Sequence, residues 1–284
     1  MRQFPEFTNI YIQDSLTSTN INTSVTMTVD GYEDQIMQIL RALRNKWTGW
    51  AVMCEVLSRY PKRMIIQPWR YQVYQDSNGR WQQFNATAGA QNYLDATPAG
   101  KPFLQCGGPQ QNQPIMERPW YFPFITKAQT GTGIGSDTII NFTPGMWTSP
   151  QTSTAFGAAS GTGPGVLPDE ILFHEMVHGM RQMAGTAQCA ATPDRPGMDT
   201  LEEFMAIVIS NVYRSEANRP GLRADHAGFL PLPPAQATSQ SFLDFDKDKP
   251  TNNLQRMKQL STEHSKLVEK LKEVSAVFNP FKLM

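Results

Sequence analysis

The chain has 284 residues with 25 basic and 25 acidic side chains, no formal net charge and 40% hydrophobic residues. This apolar fraction excludes global disorder, and the charge balance argues against a protein whose main partner is nucleic acid. The cysteines Cys54, Cys106 and Cys189 are odd in number and widely spaced, which excludes a disulfide scaffold and a CxxC metal knuckle.

The first quarter of the chain predicts a polar segment, two helices and a strand. Residues 1–30 are rich in Thr, Asn and Ser after the first few positions and predict a polar N-terminal arm. Residues 32–44 carry apolar side chains at helical spacing, and a second helix is predicted over 48–59. Residues 62–67 then predict a strand.

The rest of the chain predicts a strand and three helices. Residues 137–142 predict a strand, and residues 168–184 and 200–215 predict the two strongest helices. Residues 254–278 predict one amphipathic helix on the surface of the domain.

These elements predict a single main domain with a segment at each end. We expect an α+β domain over residues 31–250, preceded by the arm at 1–30 and followed by a docked C-terminal helical segment at 251–284.

The motif His174-Glu175-Met176-Val177-His178 has the HExxH pattern of zinc peptidases. Its flanks suit a helix, since Pro168 fits the first position and Gly185 fits the C-terminal stop. Residues four apart lie about 6 Å apart along a helix axis and nearly on one face, so His174 and His178 can bind one Zn²⁺. Glu175 can then act as the base that takes a proton from water. The alternative is a buried helix with two hydrogen-bonded histidines.

A catalytic zinc needs a third protein ligand, and the short HExxHxxGxxH spacing is absent. The helix at 200–215 begins with Glu202 and Glu203 and is otherwise almost wholly apolar. A capping box needs only one of these carboxylates. We favour Glu203 as the ligand because the small residue Ala206 lies three positions on, where the two helices must pass closely. Glu202 remains the second candidate.

The oxyanion of the reaction needs a hydrogen-bonding or positive group besides the metal. The candidates are Tyr213, near the end of the helix predicted at 200–215, and Arg223 and His226, which come after it. Asp225 could orient His226. Stabilisation of a loop is an equally good interpretation of Arg223 and His226. His264, in the charged C-terminal helix, is expected to be a solvated surface residue.

The stretches HEMVHGMRQMAG, LEEFMAIVISNVYRSE and LRADHAGF, within residues 168–230, resemble a group of bacterial toxin-like zincins. These are the metallopeptidase effector domains at the C-terminus of some type VI secretion spike (VgrG) proteins and, more distantly, the NleD-like type III effectors. The resemblance implies a zincin-like fold in which the HExxH helix packs on a small mixed sheet. It also implies zinc dependence, with His174, His178 and either Glu202 or Glu203 as ligands and Glu175 as base.

The predicted function is that of a secreted bacterial effector that hydrolyses peptide bonds in a protein of a target cell. Delivery by a secretion apparatus and an immunity protein or secretion adaptor as partner follow from the resemblance. The sequence shows neither a cleaved signal peptide nor an apolar run that could span a membrane, so we expect export by another route. The alternative is an effector that sequesters a partner, with a zinc site that is either vestigial or structural. A structural zinc would be closed by a fourth ligand such as His226 or Cys189.

Overall fold

A five-stranded mixed sheet forms the centre of the fold in the computed structural model. Its strands lie in the order β1, β2, β5, β9 and β8, with bounds Arg2–Gln3, Ile10–Ile12, Met64–Gln67, Thr138–Asn141 and Gly89–Asn92. The three inner strands are parallel, and the two outer strands pair antiparallel with their neighbours. Two hairpins lie outside this sheet: β3 with β4, and β6 with β7 (Ser15–Asn20, Thr23–Thr28, Val73–Gln75 and Trp81–Gln83).

The structure describes residues 1–20, 23–68, 73–75, 81–83, 89–92, 135–146, 163–188, 192, 197–198, 200–226 and 229–284. Within these residues it has seven α-helices, α1 to α7: Tyr32–Arg44, Trp47–Leu57, Pro168–Ala184, Leu201–Glu216, Ser239–Asp244, Asn253–Glu263 and Ser265–Lys272. The prediction of an α+β fold with a small mixed sheet is therefore confirmed. The predicted bounds of the first four helices agree with the structure to within two residues.

The helix α3, which carries HExxH, rests directly on the parallel part of the sheet. A Cβ atom on Gly179 would lie 2.8 Å from Met64 Cε and 3.1 Å from Thr138 Cγ2. The absence of a side chain at Gly179 thus lets the helix approach β5 and β9. The helix is buried along almost its whole length, between the sheet on one side and α4 on another.

The N-terminal residues belong to the central sheet, which differs from the predicted polar arm over 1–30. Phe4, Phe7, Ile10 and Ile12 are all buried in the core, and β2 pairs with the inner strand β5. The side-chain amide of Asn9 donates to the carbonyl oxygen of Val56, at a distance of 2.7 Å. The few apolar residues in this segment alternate with polar ones, and burial of one face is what makes a strand of it.

The strand predicted over 137–142 is present as β9, but it lies inside the sheet. Met64 in β5 pairs with Thr138 on one side, and Gly89 in β8 pairs with Asn141 on the other. A strand with two partners cannot add a third, so β9 is not a sheet edge. Among the strands of the described residues, β8 lies at the edge on this side of the sheet.

The C-terminal segment is two helices, whereas the sequence predicts one helix over 254–278. The break falls at His264, whose backbone leaves the helical region with φ −137° and ψ 54°. The expectation that His264 is a solvated surface residue is wrong, since its side chain is fully buried. Its Nδ1 lies 3.0 Å from Glu55 Oε1, and its Nε2 lies 2.7 Å from Thr186 Oγ1. These two contacts connect the break to α2 and to the loop that follows α3.

The burial of the N-terminal strand β2, where the sequence predicts a polar arm, can be tested by mutation. We expect Ile12→Ala to lower the free energy of unfolding by about 2–5 kcal/mol, because it removes buried methyl groups and leaves a cavity. The exposed Thr8 provides the matched control, and Thr8→Ala should change the free energy by less than about 0.5 kcal/mol. Urea unfolding measures both values. Equal small effects would mean that residues 1–12 do not belong to the core.

The cluster around Glu55 should make the stability depend on pH. Burial alone would raise the pKa of Glu55, but the hydrogen bond with His264 and the charge of Arg59 outweigh burial and hold the pKa below its usual value. A carboxyl with a lowered pKa stabilises the fold fully above its unfolded pKa of about 4.3, and the contribution is lost as the pH falls through the folded-state pKa.

We therefore expect the stability difference between wild type and Glu55→Gln to shrink as the pH is lowered from about 6 towards 3. Urea unfolding at each pH measures the difference. Glu269, whose side chain is 68% exposed, supplies the control Glu269→Gln. A difference for Glu55→Gln that stays constant with pH would contradict this account of the buried carboxylate.

Candidate metal centre

The two motif histidines are held on the buried side of a well-capped helix. Pro168 is the first residue of α3, and the carboxylate of Glu170 accepts a hydrogen bond from the backbone N–H of Leu167 at 3.2 Å. Gly185 ends the helix in the left-handed conformation, with φ 74°. These are the start and stop that the sequence predicts. His174 and His178, one turn apart, are both buried.

The helix α4 supplies a carboxylate to the histidine pair. Thr200 caps this helix, since its hydroxyl accepts from the backbone N–H of Glu203 at 3.2 Å. The Glu203 side chain does not return to the cap. Its Oε2 lies 3.1 Å from His174 Nε2 and 3.4 Å from His178 Nε2, and the two Nε2 atoms lie 3.0 Å apart.

These three atoms have the spacing and chemistry of a metal-ligand set. Ligands at about 2.0–2.1 Å from a tetrahedral zinc ion lie about 3.3 Å from each other, close to the three distances above. Each Nε2 can bring at most one proton to the triangle, so three contacts between these atoms cannot all be hydrogen bonds. A cation at the centre satisfies all three atoms at once. Among the residues that the structure describes, His174, His178 and Glu203 are the one group that could hold a metal ion.

The ionisation of His174 suits this use. Burial lowers the pKa of His174 to about 3, and contacts with Glu203 only partly oppose that effect. The imidazole of His174 is therefore neutral at physiological pH, as a metal ligand must be. The pKa of His178 is shifted the other way, because the charge of Glu203 and the hydrogen bond with Glu202 outweigh burial, so a metal ion that binds here would displace a proton from His178.

Glu202, the second candidate for the third ligand, has different partners. Its Oε1 lies 3.4 Å from His178 Nδ1, on the side of the ring away from the Nε2 triangle. Its Oε2 accepts from Arg181 Nε at 2.9 Å and from the backbone N–H of Gln188 at 3.0 Å. The structure thus brings Glu203 to both histidines and places Glu202 behind one of them.

Glu175, the predicted base, lies beside the triangle and is buried. Burial raises the pKa of its carboxyl, the nearby charge of Glu203 adds to this effect, and the charge of Arg223 partly offsets it. A carboxyl next to the histidines is a group that can accept and return a proton there.

Of the predicted oxyanion partners, the structure brings His226 to the group. His226 Nε2 lies 3.5 Å from Glu203 Oε1, and its ring stacks on that of His174 with centroids 6.4 Å apart. Its side chain is 37% exposed, so it lies at the rim of the site. Arg223 is buried and donates to the backbone carbonyls of Asp225 and His226, which shapes the loop that carries His226.

Tyr213 is not part of this group. Its hydroxyl donates to Asp169 Oδ2 at 2.6 Å, and Arg219 binds the same carboxylate oxygen. Tyr213 lies ten residues after Glu203, which is about 15 Å along an α-helix. The α4 helix therefore carries Tyr213 to the start of α3, where it packs on Phe173. Sequence proximity to the glutamates did not translate into proximity in space.

Arg181 and Glu263 were not singled out by the sequence, although both contact the site's surroundings. Arg181 is fully buried and lies three residues after His178. A charged side chain in a helix this apolar is the signal that could have identified it, since an arginine is almost never fully buried without a partner. Glu263 carries no comparable signal, because it lies among other charged residues.

Comparison with known protein families identifies the family of this chain. A family model described as an effector protein, Peptidase M91, matches residues 74–263, about two thirds of the chain. The chain belongs to this family. Membership supports the resemblance to bacterial effector peptidases at the level of the family, and it suggests a peptidase that is secreted and acts on a target cell. No curated protein and no solved structure matches the chain.

The described helices can also be compared with what a membrane-spanning helix requires. None of the helices in the part of the chain that the structure describes has both the length and the apolar character that a membrane span requires.

The metal-ligand geometry predicts a stabilisation by divalent cations. At about 100 times its dissociation constant, Zn²⁺ should raise the free energy of unfolding of the wild type by about 2.7 kcal/mol, because it binds the assembled triangle and not the unfolded chain. His178→Gln should abolish the increase. His264→Gln, which removes a buried histidine outside the triangle, should keep it. Thermal unfolding with and without added Zn²⁺ measures the effect, and a similar increase in all three proteins would place the binding elsewhere.

Proposed function

We propose that this protein is a zinc-dependent metallopeptidase, with a zincin-like active site, that acts as a secreted bacterial effector on a protein of a target cell. The observation that carries the proposal is the buried triangle of His174, His178 and Glu203, with Glu175 on the same helix as the histidines. Membership of an effector peptidase family supports it independently.

The proposed roles follow from the positions of the side chains. His174, His178 and Glu203 would hold the zinc ion, and Glu202 is not assigned as a ligand because it contacts the other nitrogen of His178. When bound, zinc supplies a Lewis acid for the peptide carbonyl and lowers the pKa of a water molecule. With three protein ligands a tetrahedral site keeps one position open, as hydrolysis requires.

Glu175 would transfer the proton. Its carboxylate takes a proton from the attacking water and returns it to the leaving amine, and its raised pKa suits both steps. His226 at the rim is placed to donate a hydrogen bond to the carbonyl oxygen as negative charge develops there. Tyr213 has no assigned role in the reaction, because its hydroxyl is bound to Asp169.

The substrate would bind as an added strand along β8. This strand forms the edge of the sheet next to β9, and α3 contacts it. A peptide chain that pairs with an exposed edge is oriented by main-chain hydrogen bonds, which is a common mode of peptide recognition. The neighbouring strand β9 is not available for such pairing, because it already pairs with β5 and β8.

The proposed function includes export from the producing cell and a partner protein. Membership of an effector family supports export and a protein target. The resemblance of residues 168–230 to the effector domains of VgrG proteins and NleD-like effectors supports delivery by a secretion apparatus. It also supports an immunity protein or secretion adaptor as partner.

The alternative, an effector that sequesters its partner around a structural zinc, requires a closed fourth ligand. His226 is not in the group that could hold a metal ion, within the residues that the structure describes. The other candidate, Cys189, lies outside those residues. The described geometry therefore favours hydrolysis.

Removal of the base separates the two functions. We expect Glu175→Gln to bind Zn²⁺ as well as the wild type does and to lower peptide cleavage at least about 100-fold, because only proton transfer is lost. Cleavage is measured on a random peptide library by mass spectrometry, and toxicity is measured on expression in a bacterial cytoplasm and periplasm. Glu273→Gln, at an exposed position on the C-terminal segment, is the control for loss of one carboxylate. Full toxicity of Glu175→Gln together with its bound zinc would favour sequestration.

A further inference from the structure

A chain of buried charges extends from the metal site to the C-terminal helices. It begins at His178, passes through Glu202 and Arg181, and ends at Glu263, the last residue of α6. Arg181 is 0% exposed, and the side chains of Glu202 and Glu263 are 4% and 15% exposed. Glu202, Arg181 and Glu263 are not among the three proposed ligands, and the peptidase mechanism above does not use them.

Glu202 is held with both carboxylate oxygens in use. Oε2 accepts from Arg181 Nε and from the backbone N–H of Gln188, at 2.9 and 3.0 Å. These two donors leave Oε1 directed at His178 Nδ1, 3.4 Å away. The opposite nitrogen of the same ring, Nε2, is the atom that faces His174 and Glu203. A carboxylate in this position fixes the orientation of a ligand imidazole and the nitrogen that carries its proton.

Arg181 is held in turn by residues after α3 and by the C-terminal segment. Its Nη1 donates to Glu263 Oε2 at 2.9 Å, and its Nη2 donates to the carbonyl oxygen of Thr186 at 2.8 Å. Glu263 Oε1 accepts from the side chains of Gln188 and Gln259, at 2.6 and 2.9 Å. An arginine buried this completely needs a carboxylate partner, because an unpaired charge is costly in a medium of low dielectric constant.

We propose that Glu202 is a positioning residue for the metal ligand His178. Arg181 and Glu263 hold Glu202 in place, so the C-terminal helix α6 contributes to the geometry of the metal centre. The proposal rests on the proposed zinc site and goes beyond it. It assigns a function to the second of the two adjacent glutamates and to a segment more than 80 residues after the motif.

A purely structural role makes a different prediction. If the charges served only to attach α6, any variant that weakens the attachment should act alike. The second attachment of the same segment joins His264 to Glu55 at 3.0 Å. Among the contacts of the described residues it reaches His178 indirectly, because His264 contacts Thr186 and the Thr186 carbonyl oxygen accepts from Arg181, whereas Glu202 contacts His178 directly. Glu55→Gln is therefore the matched control for Glu202→Gln and Glu263→Gln, because each change removes one buried or partly buried carboxylate charge with little change of shape.

The readout is the affinity of the folded, purified full chain for Zn²⁺, measured by competition with a chromophoric chelator. We expect Glu202→Gln to weaken zinc binding about 10-fold to 100-fold, as loss of a carboxylate behind a ligand histidine typically does. Glu263→Gln should weaken it less, because Arg181 and Glu202 remain, and Glu55→Gln should leave it unchanged. The visible absorption spectrum of the Co²⁺-loaded proteins should shift for Glu202→Gln and Glu263→Gln only.

Circular dichroism establishes that each variant is folded, and Glu263→Gln carries the test if Glu202→Gln does not fold. Wild-type zinc affinity and cobalt spectrum in both site variants would overturn the proposal. Equal weakening by Glu55→Gln would overturn it in favour of a general effect of attachment. Loss of all zinc binding in Glu202→Gln, with binding retained in Glu203→Gln, would make Glu202 a ligand and would also overturn it. A folded wild type that binds no zinc would overturn the proposed function itself, and this proposal with it.

Discussion

Three polar side chains converge in the buried interior, and the packing of α3 against α4 is what brings them together. His174 and His178 lie on one side of α3, and the side chain of Glu203 reaches them from the first turn of α4. The residues that follow Glu203 on α4 are mostly apolar and buried, so the position of its carboxylate depends on hydrophobic packing along the helix. At Gly179, α3 also packs closely on β5 and β9 of the sheet, and this contact helps to fix the position of the helix.

Burial of so many charges near one site has to be compensated locally. Arg181 is paired with Glu202 and Glu263, and Arg214 is paired with Glu170 at the start of α3. Such pairs contribute little net stability when compared with apolar residues, but breaking one leaves a costly unpaired charge. Their effect is therefore to hold both ends of α3 in one position. That rigidity suits a metal site, whose ligands must keep their distances to within a few tenths of an ångström.

Both ends of the chain contribute to the domain that holds the site. The N-terminal strands extend the sheet on the side away from β8, and the C-terminal helices bind α2 and the loop after α3 through His264 and Glu263. The HExxH motif itself spans only five residues. Its environment is assembled from segments up to about 250 residues apart in the chain.

The sequence by itself determined the local features of this protein: the bounds of α3, its proline start and glycine stop, the spacing of the motif histidines, and two adjacent glutamates at the start of an apolar helix. Periodicity and capping are recorded in neighbouring residues, so they can be interpreted without the fold. Only the tertiary structure decided that Glu203 faces the histidines, that Tyr213 is carried away to Asp169, that His264 is buried, and that β9 lies inside the sheet. Each of these depends on the rotation of one element against another, and that rotation is set by packing between residues far apart in the chain.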